Sequence, residues 1–412
     1  MMYERGKARL YLGDCREVIP TVGGGITAVL SDPPYGLAFM SKGWDHAVPR
    51  PEFWRIIGDA CLPGALMMAF GGTRTFHRLT CAIEDGGWGV RDLLGWLYGS
   101  GFPKSRDISK AIDLEAGAER EVVGSYAGAS NIGKTSDGKF GYGHTGETNE
   151  FADLSVAITK PATPDAELWD GWGTALKPAW EPIVLAQRPF PGTVAANALA
   201  NGCGGVNIEG GRVGISGGTK AITPPGADRS SVNTFGDGPN GSRMVPIPKG
   251  RWPANIIHDG SDEVLEVFDQ GEAGSASRFF YTAKASPSER PLGCDGLPMG
   301  DGPFGARDED DPDAKPARGC AHPGRPRRNN HPTVKPLALM AYLLKLITQP
   351  ERNLVCDPFM GSGTTAVACA DADIPFVGVE LDRSSFDIAV ARLAAAFDAV
   401  GLINPTEGKM TP

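Results

Sequence analysis

The sequence predicts an α/β protein built on a mostly parallel sheet with helices on both faces. Three observations predict it. Short β-prone runs alternate with helical spacings over residues 7–105 and again over 331–382. Several of those runs stop at an acid, Asp14, Asp32, Asp357 or Glu380, which is where an open α/β sheet holds its ligands. Residues 357–363, DPFMGSG, form a glycine turn between an apolar run and a helical one.

The 412 residues suffice for one large α/β domain with an inserted or appended module. With 56 Gly and 34 Pro the chain exceeds ordinary usage of both, so long loops are expected. No apolar run is long enough to span a bilayer and no basic-then-apolar signal is seen, so the expected address is the cytoplasm, with no membrane partner. The eight cysteines include no C-x-x-C pair and no zinc spacing; they read as reduced packing thiols, with no metal site. The net charge of −9 is opposite in sign to that of many nucleic-acid binders, but such binding depends on a local patch.

In chain order, KARLYLGD ends a first strand at Asp14 and ITAVLSD ends a second at Asp32. A helical segment containing EFWRIIGDACL follows, then a buried strand, ALMMAFGG, at 65–72. LLGWLYGSGFPKS at 93–105 is a strand running into a loop, and 124–149, rich in Gly, Ser and Asn, is a loop or insertion. ALKPAWEPIVLAQRP at 175–189 returns to a strand pattern. Residues 191–330 change character, with glycine clusters, the acidic run DEDDPD at 308–313 and the basic run RPRRNN at 325–330, and read as a separate loop-rich module. Leu337, Ala341, Leu344 and Ile347 then have helical spacing. Strand NLVCD, the glycine turn, helix TTAVACADA and strand PFVGVELD complete a βαβ unit. The expected division is 1–190, carrying an insertion near 124–160, then 191–330, 331–400 and a tail at 401–412.

Two motifs carry chemistry. In the C-terminal unit, Gly361 and Gly363 allow close backbone approach to a ligand, and Glu380 at the next strand end suits a pair of ribose hydroxyls. A tight βα turn without a ligand has the same pattern. No Lys follows the second glycine, which disfavours a phosphate-cradling P-loop. In LSDPPYGLAF at 30–39, Pro33 and Pro34 fix φ and remove two backbone donors, so the segment presents acceptors only, joined by the Asp32 carboxylate. Converging acceptors suit an amino group, and Tyr35 offers a flat face to a planar ring. The plain alternative is a Pro-Pro turn with a capping Asp and a core Tyr.

DPPY followed by HPTVKP and then DPFMGSGTT resembles, in residues and in order, the β class of S-adenosylmethionine-dependent amino-methyltransferases of DNA. The resemblance covers roughly 1–110, 165–190 and 331–395. It implies a Rossmann-like methyltransferase sheet with a target-recognition module at 191–330. It implies a catalytic loop of Asp32, Pro33, Pro34 and Tyr35. It implies S-adenosylmethionine held by Asp357, Phe359, Gly361, Ser362, Gly363, Thr364 and Thr365, with Glu380 on the ribose. His331, Pro332, Thr333 and Lys335 would close over the amino-acid end of that cofactor, Lys335 meeting its carboxylate, and Asp14 matches the strand-end acid upstream of the catalytic loop.

The implied chemistry is methylation of an exocyclic base amine, without a covalent intermediate, on a base flipped out of double-stranded DNA. Asp before PPY accompanies adenine more often than cytosine in this family, so adenine N6 is expected and cytosine N4 is the alternative. An inactive DNA-binding regulator with the same fold is a reading from another class. Arg243, Arg251, Arg325, Arg327 and Arg328 fall in local basic groups able to neutralise phosphates; solvated surface charge is the plain alternative for each. A homodimer and association with the nucleoid are expected, and no restriction partner is legible.

Overall fold

The long apolar runs form strands buried on both faces, as a central position in a parallel sheet demands. In the computed structural model the described residues are 1–37, 46–99, 101, 105–127, 132–134, 140–142, 155–214, 219–222, 243–246, 250–268, 280–283, 289–298, 328–329, 331, 334–399 and 408–411. The acidic run at 308–313 and the predicted site residues Pro332, Thr333, Arg325 and Arg327 lie outside them. The chain divides into two compact units, Met1–Gly99 with Trp180–Pro412, and Ser100–Ala179.

The larger unit begins with β1 (Met2–Arg5), β2 (Ala8–Leu12), α1 (Cys15–Val18) and β3 (Ile26–Ser31), followed by α2 (Pro51–Ala60), β4 (Cys61–Phe70), α3 (Phe76–Asp85) and β5 (Gly89–Leu97). The smaller unit holds α4 (Ile108–Glu115), an antiparallel pair of β6 (Val122–Ala127) with β9 (Ser155–Thr159), a short pair of β7 (Ile132–Lys134) with β8 (Phe140–Tyr142), and α5 (Pro164–Leu168). Its centre is the buried Asp113, which accepts from the Ala162 and Thr163 amides at 2.9 and 3.0 Å and from Arg120.

The larger unit resumes with β10 (Trp180–Gln187), α6 (Val194–Asn201), the antiparallel pair β11 (Thr219–Ile222) and β12 (Arg243–Pro246), β13 (Ile256–His258), α7 (Asp262–Phe268) and β14 (Tyr281–Thr282). It ends with α8 (Leu337–Ile347), β15 (Val355–Asp357), α9 (Thr364–Asp371), β16 (Phe376–Glu380), α10 (Arg383–Ala399) and β17 (Lys409–Thr411).

Eleven strands form one sheet in the order β14-β13-β5-β10-β4-β3-β15-β16-β2-β1-β17. It is mostly parallel and Rossmann-like, with β10 antiparallel to both β4 and β5 and an antiparallel edge of β2, β1 and β17. Two strands from within 191–330, β13 and β14, extend this sheet in parallel beyond β5. Alternation in β3 and β4 separates two cores. Leu30, Leu66, Met68 and Phe70 face α8, α9 and α10, while Val29, Ala65, Met67 and Ala69 face α1, α2 and α3.

The order also explains where a site can form. From β3 the chain crosses through α2 to β4 on one side; from β15 it crosses through α9 to β16 on the other. The carboxyl ends of β3 and β15 therefore flank the switch point of the sheet, the crevice where open α/β sheets bind ligands. Among the described residues no helix is long and apolar enough to cross a membrane. The seven described cysteines are free thiols, and all but Cys81 are buried.

Trp54 on α2 anchors the second core: it is fully buried, its indole nitrogen donates to Pro49 O at 3.3 Å and its carbonyl accepts from Trp88 at 2.8 Å. Trp54→Ala should cost about 3–5 kcal/mol of unfolding free energy by the usual cost of an emptied aromatic site, measured by urea denaturation. A loss below 1 kcal/mol, on the order of a surface change, would show that α2 is not held as described.

Candidate active site

At the switch point the two sequence motifs meet. The parallel register of β15 and β3 pairs Val355 with Ala28 and Cys356 with Val29, which brings the strand ends together. There the buried Ser31 hydroxyl donates to Asp357 Oδ1 at 2.7 Å. Asp357 also accepts from the Phe359 amide at 3.1 Å and from the Thr365 hydroxyl at 2.6 Å, so its carboxylate ties β3, the glycine turn and the start of α9 into one piece. Burial pushes the Asp357 carboxyl up to about 7, against the lowering effect of those three donors.

The glycine turn has the backbone its residues allow. Gly361 (φ +55°) and Gly363 (φ +77°) lie in the left-handed region. A Cβ on Gly361 would stand 2.9 Å from His331 Nε2, and one on Gly363 would stand 2.8 Å from the Ala389 Cβ. The turn is fastened from below by Arg392 of α10, whose buried guanidinium donates to Ser362 O at 2.7 Å and Thr364 Oγ1 at 3.0 Å. Burial lowers that guanidinium to about 10.

Glu380 closes the far side. Its two oxygens accept from the Gly361 amide at 2.7 Å and the Asp382 amide at 2.8 Å, and burial raises its carboxyl. Each oxygen keeps a lone pair able to accept a further hydroxyl. The Gly13 amide donates to Glu380 O at 2.9 Å, which sets Asp14 beside this acid; Asp14 caps α1 by accepting from the Arg16 amide at 2.9 Å, and Arg16 holds its carboxyl below the usual range. Phe359 packs on Phe53 and Trp54, with ring centroids at 6.0 and 6.1 Å.

On the other side of the crevice lies a polar cluster. Asp32 accepts from the Tyr35 hydroxyl at 2.8 Å through Oδ1 and from Lys335 Nζ at 2.8 Å through Oδ2. Lys335 also reaches Glu181 Oε2 at 3.2 Å and the Tyr35 oxygen at 3.1 Å. Its ammonium lies 4.9 Å from the centre of the Phe70 ring. The two carboxylates raise the Lys335 ammonium well above its ordinary value against the opposing effect of burial, and burial with the same carboxylates raises the Tyr35 phenol. Tyr35 is held further by Thr75, whose hydroxyl donates to its carbonyl at 2.6 Å.

The structure thus brings together Asp32, Pro33, Pro34, Tyr35 and Lys335 on one side, and Asp14, Asp357, Phe359, Gly361, Ser362, Gly363, Thr364, Thr365 and Glu380 on the other, with His331 against Gly361. Lys335, expected at a cofactor carboxylate, is placed against Asp32 and Glu181. Of the predicted DNA contacts, Arg243 lies on β12, Arg251 pairs with Val213 in an isolated bridge, and Arg328 is exposed 3.5 Å from Asp295. Asn329, in the basic run, uses its amide locally, donating to Arg290 O at 2.8 Å and accepting from the His331 amide at 3.2 Å.

Three residues of the site were not singled out from sequence: Ser31, Glu181 and Arg392. The available signals were a charge inside the apolar strand WEPIVLAQ and a lone base inside the helix IAVARLAAAF.

The sequence model of the N6/N4 DNA methylase family matches residues 26–391. Among curated proteins, the chain is 44% identical over 63 residues to the type II methyltransferase M.HindIII of Haemophilus influenzae, 15% of this chain and 20% of that one. It is 32% identical over 77 residues to the type II methyltransferase M.HpaI of Haemophilus parainfluenzae, 19% of this chain and 24% of that one. The matches to these relatives thus span about a fifth to a quarter of their length. Among solved structures, the cytosine-N4-specific PvuII DNA methyltransferase aligns over 95% of this chain and 92% of its own, with TM-score 0.43 and 11% identity. The M1.HpyAVI–SAM complex aligns over 94% and 99%, with TM-score 0.38 and 14% identity.

The buried carboxyl of Asp357 gives the fold a signature in pH. Its value of about 7 in the folded chain lies above the value of about 4 expected in an unfolded one. The folded state therefore binds the proton more tightly, and the stability this group contributes is present at low pH and lost as pH rises through about 7. Wild type should lose stability relative to Asp357→Asn between about pH 4 and 7, with a slope of up to about 1.4 kcal/mol per pH unit, and level off above that. Parallel stability curves from urea denaturation would remove Asp357 as the titrating group.

Proposed function

The chain belongs to the DNA methylase family, and from that premise we propose that it is a sequence-specific adenine-N6 methyltransferase of double-stranded DNA that uses S-adenosylmethionine. The observation that carries this reading is the junction at the switch point, where Ser31, next to the acceptor loop DPPY, is hydrogen-bonded at 2.7 Å to Asp357 of the glycine turn.

The residues around the glycine turn fit the cofactor. A Cβ at Gly361 would meet the His331 ring at 2.9 Å, so glycine there lets that imidazole close onto the turn, and Glu380 retains acceptor lone pairs beside it for a ribose diol. Asp14 follows Gly13, whose amide donates to Glu380 O, and Phe359 lies within the turn, with His331 over Gly361. When bound, S-adenosylmethionine supplies an electrophilic methyl group on a sulfonium centre.

The remaining work falls to the acceptor loop. The exocyclic amine of adenine is a poor nucleophile because its lone pair is delocalised into the ring. Asp32 and the Pro33 carbonyl accept its two hydrogens and so localise that lone pair on nitrogen. Pro33 and Pro34 carry no N–H to compete for these acceptors. Catalysis is then positioning and electrostatics. The amine lies inside the duplex, so the base leaves the stack to reach the loop, and Tyr35 borders its place. Asp before PPY favours adenine over cytosine as a family-level analogy. Arg251 and Arg328, with the basic residues around them, provide phosphate contacts.

Long-read sequencing of genomic DNA from a methylation-deficient host expressing the chain tests this reading. Methylated adenines confined to one short motif, and absent with Asp32→Ala, are expected. Modified cytosines would replace the target with cytosine N4, and unmodified DNA from a folded, cofactor-binding protein would overturn the enzyme reading. In vitro, Asp32→Ala should reduce methyl transfer by on the order of a hundredfold or more while cofactor affinity stays within about threefold.

A further inference from the structure

Glu181 stands outside both motifs yet touches the catalytic loop. It comes from β10, the one strand in the middle of the sheet that runs against its neighbours. Parallel strands present their carboxyl ends to the crevice, whereas β10 presents its start. That is how the second residue of WEPIVLAQ comes to face Asp32. Pro182 next to it accepts from the Gly71 amide at 2.9 Å, which fixes the start of β10 against the end of β4.

The hydrogen-bond arithmetic of the cluster is closed. An ammonium has three donors, and Lys335 meets three acceptors: Asp32 Oδ2 at 2.8 Å, the Tyr35 oxygen at 3.1 Å and Glu181 Oε2 at 3.2 Å. The Lys335 side chain is only 8% exposed. The Tyr35 hydroxyl has one hydrogen, and the shorter of its contacts is to Asp32, at 2.8 Å against 3.3 Å to Glu181. Asp32 is thus held at both oxygens, one by Lys335 and one by Tyr35, and each oxygen keeps a lone pair. Two carboxylates share one ammonium, which leaves the cluster with a net negative charge.

We propose that Glu181 is a positioning residue for methyl transfer: by taking one donor of Lys335 it sets the plane of the Asp32 carboxylate and keeps Lys335 from neutralising Asp32 alone. This rests on the reading of Asp32 as the acceptor of the target amine. With Glu181 uncharged, Lys335 pairs with Asp32 only. The carboxylate then turns toward the ammonium and becomes a weaker acceptor for the amine. Glu181 does not touch the reacting atoms; its effect passes through Lys335.

Steady-state methyl transfer to DNA, with cofactor affinity and thermal unfolding measured on the same preparations, tests the assignment. Glu181→Gln keeps shape and removes charge. It should lower kcat by about tenfold to a hundredfold, the scale of a small misplacement of a reacting group. KM for DNA and cofactor affinity should stay within about threefold. Glu181→Asp keeps the charge and should recover part of the rate. In a Lys335→Met background, Glu181→Gln should add no further loss, because the group it acts through is gone. Wild-type kcat in Glu181→Gln, or losses that multiply in the double variant, would overturn the proposal while leaving the role of Asp32 intact. If Glu181→Gln fails to fold, Glu181→Met carries the test, and a rate equal to wild type there would overturn it. A wild-type protein that transfers no methyl group to DNA overturns the reading of Asp32 and this proposal together.

Discussion

One hydrogen bond, from the Ser31 hydroxyl to Asp357, joins stretches of chain 326 residues apart, and the crevice is built outward from it. On one side of it the chain leaves β3 into the acceptor loop; on the other it leaves β15 into the glycine turn. Neither loop has its own core. Each takes its position from a strand buried on both faces, and the two strands take theirs from being neighbours in the sheet. The partners of Asp357 are a strand residue, a turn amide and a helix hydroxyl, so its carboxyl sets the shape of the turn.

The opposite wall works by charge. Lys335, nearly buried, lies between two carboxylates and over an aromatic face. Removing one member of such a group leaves a desolvated charge unpaired, which costs more than a surface pair would. The same low exposure makes the arrangement directional, because water cannot replace a missing partner at Lys335 as it would on an open surface. The crevice therefore has one wall shaped by backbone and glycine, and another shaped by a fixed set of charges.

Much of this was legible in the residues. ITAVLS and ALMMAF read as strands because both faces are buried and the apolar run is unbroken. Asp32 and Asp357 read as site residues because each ends such a run. The strand IIH was not legible, since three residues show no period, and it gains its place only by pairing with β5. Glu181 was not legible as part of the site. A single charge in an apolar strand says nothing of what it faces, and only the reversed direction of β10 brings it to the crevice. Lys335 was legible as a residue of interest, but its partners were not. The motif specifies an ammonium near the loop, and the sheet decides which oxygens it meets.

The placement of β15 has a consequence for biosynthesis. This three-residue strand sits between β3 and β16, so the middle of the sheet is filled by chain made long after β3 itself. A ribosome that has translated as far as residue 330 carries a nascent protein whose β3 has β4 on one side and an open ladder on the other. Such an edge is apolar on both faces and offers unpaired amides to any passing strand. The interval between translating β3 and translating β15 is thus a period in which this edge of the sheet stands unpaired.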